Sequence, residues 1–149
     1  MKKLCILILL IVTFNSCKKE SVDYTQIDED IITQYITDNN LIAIATGTGL
    51  YYVIEVPGTG AQPNSQSTVR VAYKGYLTNG SVFDESASSG ISFSLTSVIQ
   101  GWQEGIPYFK EGGTGILLIP SALGYGSQAT SGIPANSVLI FDVGLFEVL

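Results

Sequence analysis

Few side chains in this sequence could make or break a covalent bond. It has no histidine in 149 residues, which removes the commonest general base and the commonest metal ligand. Its two cysteines, Cys5 and Cys17, are too few for a cysteine-rich zinc site. What remains is a set of aromatic residues with a few polar groups among them. Asp84 directly follows Phe83 in the run N-G-S-V-F-D-E-S. A carboxylate there is a turn residue or a site group, and the residues alone favour the turn. Tyr125 lies between Gly124 and Gly126, which predicts an exposed or cleft position, because loop aromatics rarely build core. Trp102, the only tryptophan, reads as core or interface, and Phe93 and Phe141 read alone as core. Two glycine pairs carry no nucleotide signal. Gly47-Thr48-Gly49 lacks the third glycine and following helix of a dinucleotide site, and Gly124-Tyr125-Gly126 lacks the lysine of a P-loop. Both read as turns. A net charge of −6 with no basic stripe argues against nucleic acid as a partner.

These residues must be positioned by one short helix among strands. Thr96 or Ser97 is placed to cap a helix carrying Val98, Ile99, Trp102 and Ile106 on one face, which Pro107 closes. Around it the pattern is that of strands. Leu50 to Val56 is β-branched and aromatic. In Thr68 to Thr78, Val69, Val71, Tyr73 and Leu77 face one side, and Arg70, Lys74 and Tyr76 the other. Asn79-Gly80 signals a hairpin, with the return strand beginning at Ser81 to Asp84. Ile91, Phe93 and Leu95 alternate; Thr114 to Ile119 is a strand stopped by Pro120; and Val138 to Leu149 is the last, with Leu139, Phe141, Val143 and Leu145 on one face. The expected fold is α+β, an antiparallel sheet curled about one short helix.

The N-terminus has a different character. Met1-Lys2-Lys3 followed by an apolar run from Leu4 to Phe14 fits a secretory leader and is too short to span a bilayer. Phe14-Asn15-Ser16-Cys17 resembles the lipobox of bacterial lipoproteins. Cys17 would be the only cysteine left after cleavage, and a lone thiol in an oxidising envelope is a liability unless it is used. Acylation is one use and an intermolecular disulfide another. Lys18 after the cysteine resembles an outer-membrane sorting signal. Thr25 to Asn39 reads as an amphipathic helix with Ile27, Ile31 and Tyr35 in line, Ile32 and Ile36 beside them, and Asp28, Glu29 and Asp30 in the first turn. The expected organisation is a leader at 1–16, a lipidated tether at 17–24, a helical segment at 25–46 and a main domain at 47–149.

Five pieces in order resemble the FKBP-type peptidyl-prolyl isomerase family. They are V-A-Y-K-G-Y-L at 71–77, N-G-S-V-F-D-E-S at 79–86, V-I-Q-G-W-Q-E-G at 98–105, L-I-P-S-A-L-G-Y-G at 118–126 and I-P-A-N-S-V-L-I-F-D-V at 133–143. The resemblance implies an antiparallel half-barrel wrapped around one short helix, with a proline pocket between them. It implies Trp102 as the floor and Tyr73, Phe83, Phe93 and Phe141 as walls. It places Val98 and Ile99 at the rim, with the Ile99 N–H as a donor. It makes Asp84 the polar carboxylate, Tyr125 the hydroxyl that bonds a substrate carbonyl, and Ile133 an apolar lip. Tyr73, Asp84 and Tyr125 are thus the expected catalytic group. It implies no cofactor or metal, proline-containing polypeptides as substrates and macrolides as candidate inhibitors; membrane association through a lipid anchor is what the lipobox-like stretch at Cys17 implies. Members of the family often carry an arginine shortly after the Asp84 position; here Ser86 to Ser89 stand there, which leaves Tyr73 to hold the carboxylate. The flap from Ser127 to Gly132 is small and polar, and Ala135 replaces the second proline of a common pair. A binding or chaperone module with little turnover is the alternative, and a purely structural envelope lipoprotein, with no such pocket, a third.

Overall fold

The computed structural model describes residues 22–149. The leader, Cys17 and most of the tether lie outside the described residues. The described chain runs through helix α1 (Tyr24–Asp38), strands β1 (Ile44–Ala45), β2 (Tyr51–Val56), β3 (Thr68–Tyr76), β4 (Val82–Glu85) and β5 (Ile91–Ser94), helix α2 (Gln100–Gly105), and strands β6 (Thr114–Ile119) and β7 (Leu139–Val148). The seven strands form one antiparallel sheet in the order β1-β2-β6-β7-β3-β4, with β5 also on β3. β7 pairs along the whole of β3, whereas the other edge of β3 is shared. Its first half pairs with β5 through Val69–Phe93 and Val71–Ile91, and its second half with β4 through Lys74–Glu85 and Gly75–Asp84. The Asn79-Gly80 turn forms as expected: Gly80 has φ 84° and its N–H donates to the Leu77 carbonyl at 2.8 Å.

Alternation along the strands divides the apolar residues between two faces. Val69, Val71, Leu117, Ile119, Leu139, Phe141, Val143 and Leu145 pack with Trp102 and Ile106 on the concave face. Val53, Ile116, Leu118 and Ile140 pack with Ile32 on the back. α2 covers the first face and α1 the second, so each side of the sheet is closed by its own helix.

Both helices depart from the expected detail. α1 begins at Tyr24, capped by Asp23, whose side chain accepts from the Thr25 N–H at 2.9 Å. The acidic run therefore falls after the first turn. The face turned to the sheet holds Asp28, Ile32, Tyr35 and Ile36, while Ile27 and Ile31 stay exposed. Asp28 and Glu29 make polar bonds from this side of the helix. Asp28 is buried against Ser121, and Glu29 accepts from the Tyr51 hydroxyl. The strand β1, which the sequence pattern did not reveal, follows α1 and pairs with β2 through Ile44–Tyr52.

α2 is one and a half turns long and has no side-chain cap. The capping happens earlier, where Ser94 accepts from the Thr96 N–H and starts a separate 3₁₀ turn at Leu95–Ser97. Val98 and Ile99 are extended, with ψ 175° and 152°, and stand outside the helix. Pro107 lies within a second 3₁₀ turn, Ile106–Tyr108, rather than beyond a helix end. Two glycines let α2 sit tight on β6. A Cβ on Gly101 would lie 2.4 Å from Ile119, and one on Gly105 2.6 Å from Leu117.

Candidate active site

Between α2 and the concave face of β3, β4, β5 and β7 lies an open cavity of about 730 Å³. Every residue expected at the site lines it: Trp102, Tyr73, Phe83, Phe93 and Phe141, with Asp84, Val98, Ile99, Tyr125 and Ile133. Trp102 is 4% exposed and sits at the base. Tyr73, Phe93 and Phe141 meet its ring edge to face, with centroids 5.2, 5.3 and 5.2 Å away, and Phe83 meets Phe141 in the same way at 5.5 Å. Such pairs add about 0.5–1.5 kcal/mol each beyond burial, so the rings brace one another around the open space. Gly75 makes room for two of them, since a Cβ there would lie 2.6 Å from Phe83 and 2.7 Å from Phe141.

The polar groups are few. The Tyr73 hydroxyl donates to Asp84 Oδ2 at 2.7 Å. Burial, followed by this bond to the carboxylate, pushes the Tyr73 hydroxyl up to about 12 from the ordinary 10.0, so it is protonated at any physiological pH. The Ile99 N–H has no acceptor among the described residues. It is presented by the extended Val98–Ile99 pair, which the Gln103 side chain holds by donating to the Val98 carbonyl at 2.8 Å. Tyr125 is 42% exposed in the loop that follows the 3₁₀ turn Ser121–Leu123. Ile133 closes the cavity from a small hairpin in which Thr130 and Ile133 exchange backbone bonds at 3.0 and 2.9 Å.

A family model for FKBP-type peptidyl-prolyl cis-trans isomerase matches residues 59–146, more than half of the sequence. The chain belongs to this family. Among curated relatives, the FKBP-type isomerase FkpA of Buchnera aphidicola is 45% identical over 106 residues, which cover 70% of this chain and 44% of that protein. The chain spans under half the length of the curated relatives it matches first. Among solved structures, FkpA from Escherichia coli has a TM-score of 0.74 at 37% identity, covering 84% of this chain and 60% of that one. A peptidyl-prolyl cis-trans isomerase from Pseudomonas syringae has a TM-score of 0.71 at 27% identity, covering 86% and 98%.

Just past Asp84, Ser86 continues the pairing of β3. Its N–H donates to the Tyr73 carbonyl at 3.0 Å, and its Oγ accepts from the Tyr73 N–H at 3.0 Å. Tyr73 is thus fixed at its backbone by Ser86 and at its hydroxyl by Asp84. Ile91, Ser97, Thr130 and Ser131 also line the cavity and were missed from the sequence. Ile91 was legible, because it alternates with Phe93 on β5. The other three are small polar residues, Ser97 at the end of a 3₁₀ turn and Thr130 and Ser131 in the flap, with no alternation to mark them. Among the described residues no cluster of histidine, cysteine, aspartate and glutamate is arranged to hold a metal, and no helix is long and apolar enough to cross a membrane.

Proposed function

We propose that this chain is a peptidyl-prolyl cis-trans isomerase acting on proline-containing polypeptides outside the cytoplasm. The observation that carries the reading is the aromatic cavity, with Trp102 at its base and the Ile99 N–H and the Tyr73–Asp84 pair at its margin. Rotation about a peptide bond faces a barrier of about 18–20 kcal/mol because resonance is lost, and unaided prolyl isomerisation takes on the order of tens to hundreds of seconds. No bond is cleaved, so a site need only fit the twisted amide better than the planar one. The proline ring enters among Phe83, Phe93, Trp102 and Phe141, and water leaves the amide. Water bonded to the carbonyl favours the planar, charge-separated form, so its removal favours twisting. The Ile99 N–H and the Tyr125 hydroxyl orient the flanking carbonyls, with Val98 and Ile133 as apolar lips. Tyr73, held by Asp84, keeps the polar wall fixed.

For the whole chain, we propose a leader at 1–16, a tether at 17–24 lipidated at Cys17, a helical segment at 25–46 and the isomerase domain at 47–149. The lipid would hold the domain at an envelope membrane, with an outer-membrane address. The lipobox-like Phe14-Asn15-Ser16-Cys17 supports this, and metabolic labelling with palmitate that persists in a Cys17→Ser variant would refute it. One observation favours a binding or chaperone module with little turnover, namely the serines that replace the arginine beyond Asp84. A single assay separates the readings: cis-to-trans conversion of an Xaa-Pro-Phe peptide by the chain from residue 18, with and without a macrolide. Inhibitable acceleration supports the enzyme. Macrolide binding without acceleration supports the binding module. Neither signal from a folded protein removes the pocket assignment.

A further inference from the structure

We propose that Asp28 of α1 is a positioning residue for the substrate site. Through Ser121 it fixes the loop that carries Tyr125 and the base of the hairpin that carries Ile133. The role of those two residues rests on the isomerase reading; the way they are held rests on geometry alone.

Ser121 is a junction. Its N–H and its Oγ both donate to Asp28 Oδ2, at 2.8 and 2.6 Å. Its carbonyl accepts from the N–H groups of Gly124 and Gly126, at 3.0 and 2.8 Å. The Gly126 carbonyl then accepts from the Asn136 N–H at 2.7 Å, which closes the base of the flap containing the Thr130–Ile133 hairpin. Tyr125 therefore sits between two residues anchored to Ser121. Its side chain is 42% exposed, so its backbone sets its place. The hydrogen-bonded path runs from α1, which precedes the family-matched residues 59–146, to one side of the pocket.

Attachment of the helix does not explain Asp28. Ile32 already packs with Leu118 and Ile140, and Glu29 bonds Tyr51. Asp28 is 2% exposed, and its Oδ1 is buried with no hydrogen-bond partner among the described residues. A buried carboxylate with one bare oxygen is a poor source of net stability. What it provides is a double grip on one residue of the opposite element.

The test uses the full chain with Asp28→Ala, Asp28→Asn and Ile32→Val. It measures kcat/KM on an Xaa-Pro-Phe peptide, Tm, and amide hydrogen exchange at Gly126 and Asn136. Asp28→Ala is expected to speed exchange at both amides by about tenfold or more. It is expected to lower kcat/KM by about fivefold. Asp28→Asn keeps an acceptor for Ser121 and should restore both readouts to within about twofold of wild type. Ile32→Val should lower Tm and leave both alone. Asp28→Leu fills the buried site without accepting a bond, and it replaces Asp28→Ala if that variant does not fold. The proposal is overturned if loss of the acceptor lowers Tm but leaves exchange and kcat/KM at wild-type values, or if Ile32→Val moves both equally. A wild-type chain without isomerase activity would remove the isomerase reading, while the exchange measurements still decide whether Asp28 holds the loop.

Discussion

The two faces of the sheet are built from the same strands and solve different problems. β7 sends Leu139, Phe141, Val143 and Leu145 to the concave side and Ile140 to the back. β6 sends Leu117 and Ile119 one way and Ile116 and Leu118 the other. On the back, aliphatic side chains fill the space beneath α1, and polar clasps surround them. Tyr76 donates to Asp142 at 2.8 Å, and Tyr51 and Ser121 bond the carboxylates of Glu29 and Asp28. On the concave side the covering helix is short, and the rings around Trp102 meet edge to face about an open cavity of about 730 Å³. Aliphatic packing closes a surface, whereas rings braced against one another can keep one open. The aliphatic packing of the back, the Asp28–Ser121 clasp apart, should therefore respond to substitution mainly in stability, and the front mainly in activity.

The largest expected effect pits one face against the other. Trp102→Ala removes the ring that touches Tyr73, Phe93 and Phe141. It should cost about 3–5 kcal/mol of stability, and it should reduce kcat/KM by about a hundredfold. Ile32→Ala on the back should cost a comparable amount, about 2–5 kcal/mol, with kcat/KM within about twofold of wild type at a temperature where it is folded. Chemical denaturation and peptide isomerisation on both variants check this. Equal losses of activity would mean that the two faces are not separable. Trp102→Phe is the milder variant should the alanine form not fold.

Gly75→Ala sharpens the contrast without deleting any ring. The new methyl group would lie within 2.6–2.7 Å of Phe83 and Phe141, so both must shift into the cavity or away from it. Overpacking of this kind costs about 1–3 kcal/mol. Activity should fall by about tenfold, more than so small a stability loss would suggest, because the displaced groups are the walls themselves. Activity at wild-type level would show that the ring positions are not critical.

Asp84→Asn is a smaller perturbation. Asp84 is solvent-exposed, and its amide replacement can still accept from the Tyr73 hydroxyl. Stability should change by under about 1 kcal/mol, with kcat/KM reduced by a few-fold. Asp84→Ala, which removes the acceptor, should lower activity further. If both variants match wild type, the Tyr73–Asp84 pair is not part of the working site.

Much of this was legible in the residues. Alternation gave β3, β5 and β7, and β-branched and aromatic content gave β2. The Asn79-Gly80 turn, the Gly47–Gly49 turn and the stop at Pro120 followed from local chemistry. The residues that line the cavity were marked as a candidate site only by five motifs in order, since Phe93 and Phe141 taken singly look like any buried aromatics. What failed had tertiary causes. Val98 and Ile99 sit at helical spacing, yet the Gln103 side chain holds the Val98 carbonyl outside the helix. On α1, Ile32, Tyr35 and Ile36 face the sheet with the buried Asp28, while Ile27 and Ile31 do not, and Asp28 bonds Ser121, 93 residues away. No local pattern reports a partner at that distance.

The smallest expected effect is a matter of pH, and it also separates the faces. On the front, the Tyr73 hydroxyl is raised to about 12 by burial and by its bond to Asp84. On the back, Tyr76 is raised by burial and by bonds to Tyr35 and Asp142, and Tyr51 chiefly by its bond to Glu29. A group whose proton is held more tightly in the folded state contributes stability below its unfolded value. That contribution is lost as pH rises through the folded one. For Tyr73 the window is therefore pH 10 to about 12, where Tm should fall with increasing pH. Tyr73→Phe should flatten part of that fall, whereas Tyr76→Phe should flatten a separate part that belongs to the back face. Neither substitution should alter the pH dependence of Tm between 6 and 9, where all three hydroxyls stay protonated in either state. Tyrosinate absorbance followed alongside Tm distinguishes the two faces. If Tyr73→Phe leaves the alkaline limb unchanged, the Asp84 bond does not hold the front-face hydroxyl in its protonated form.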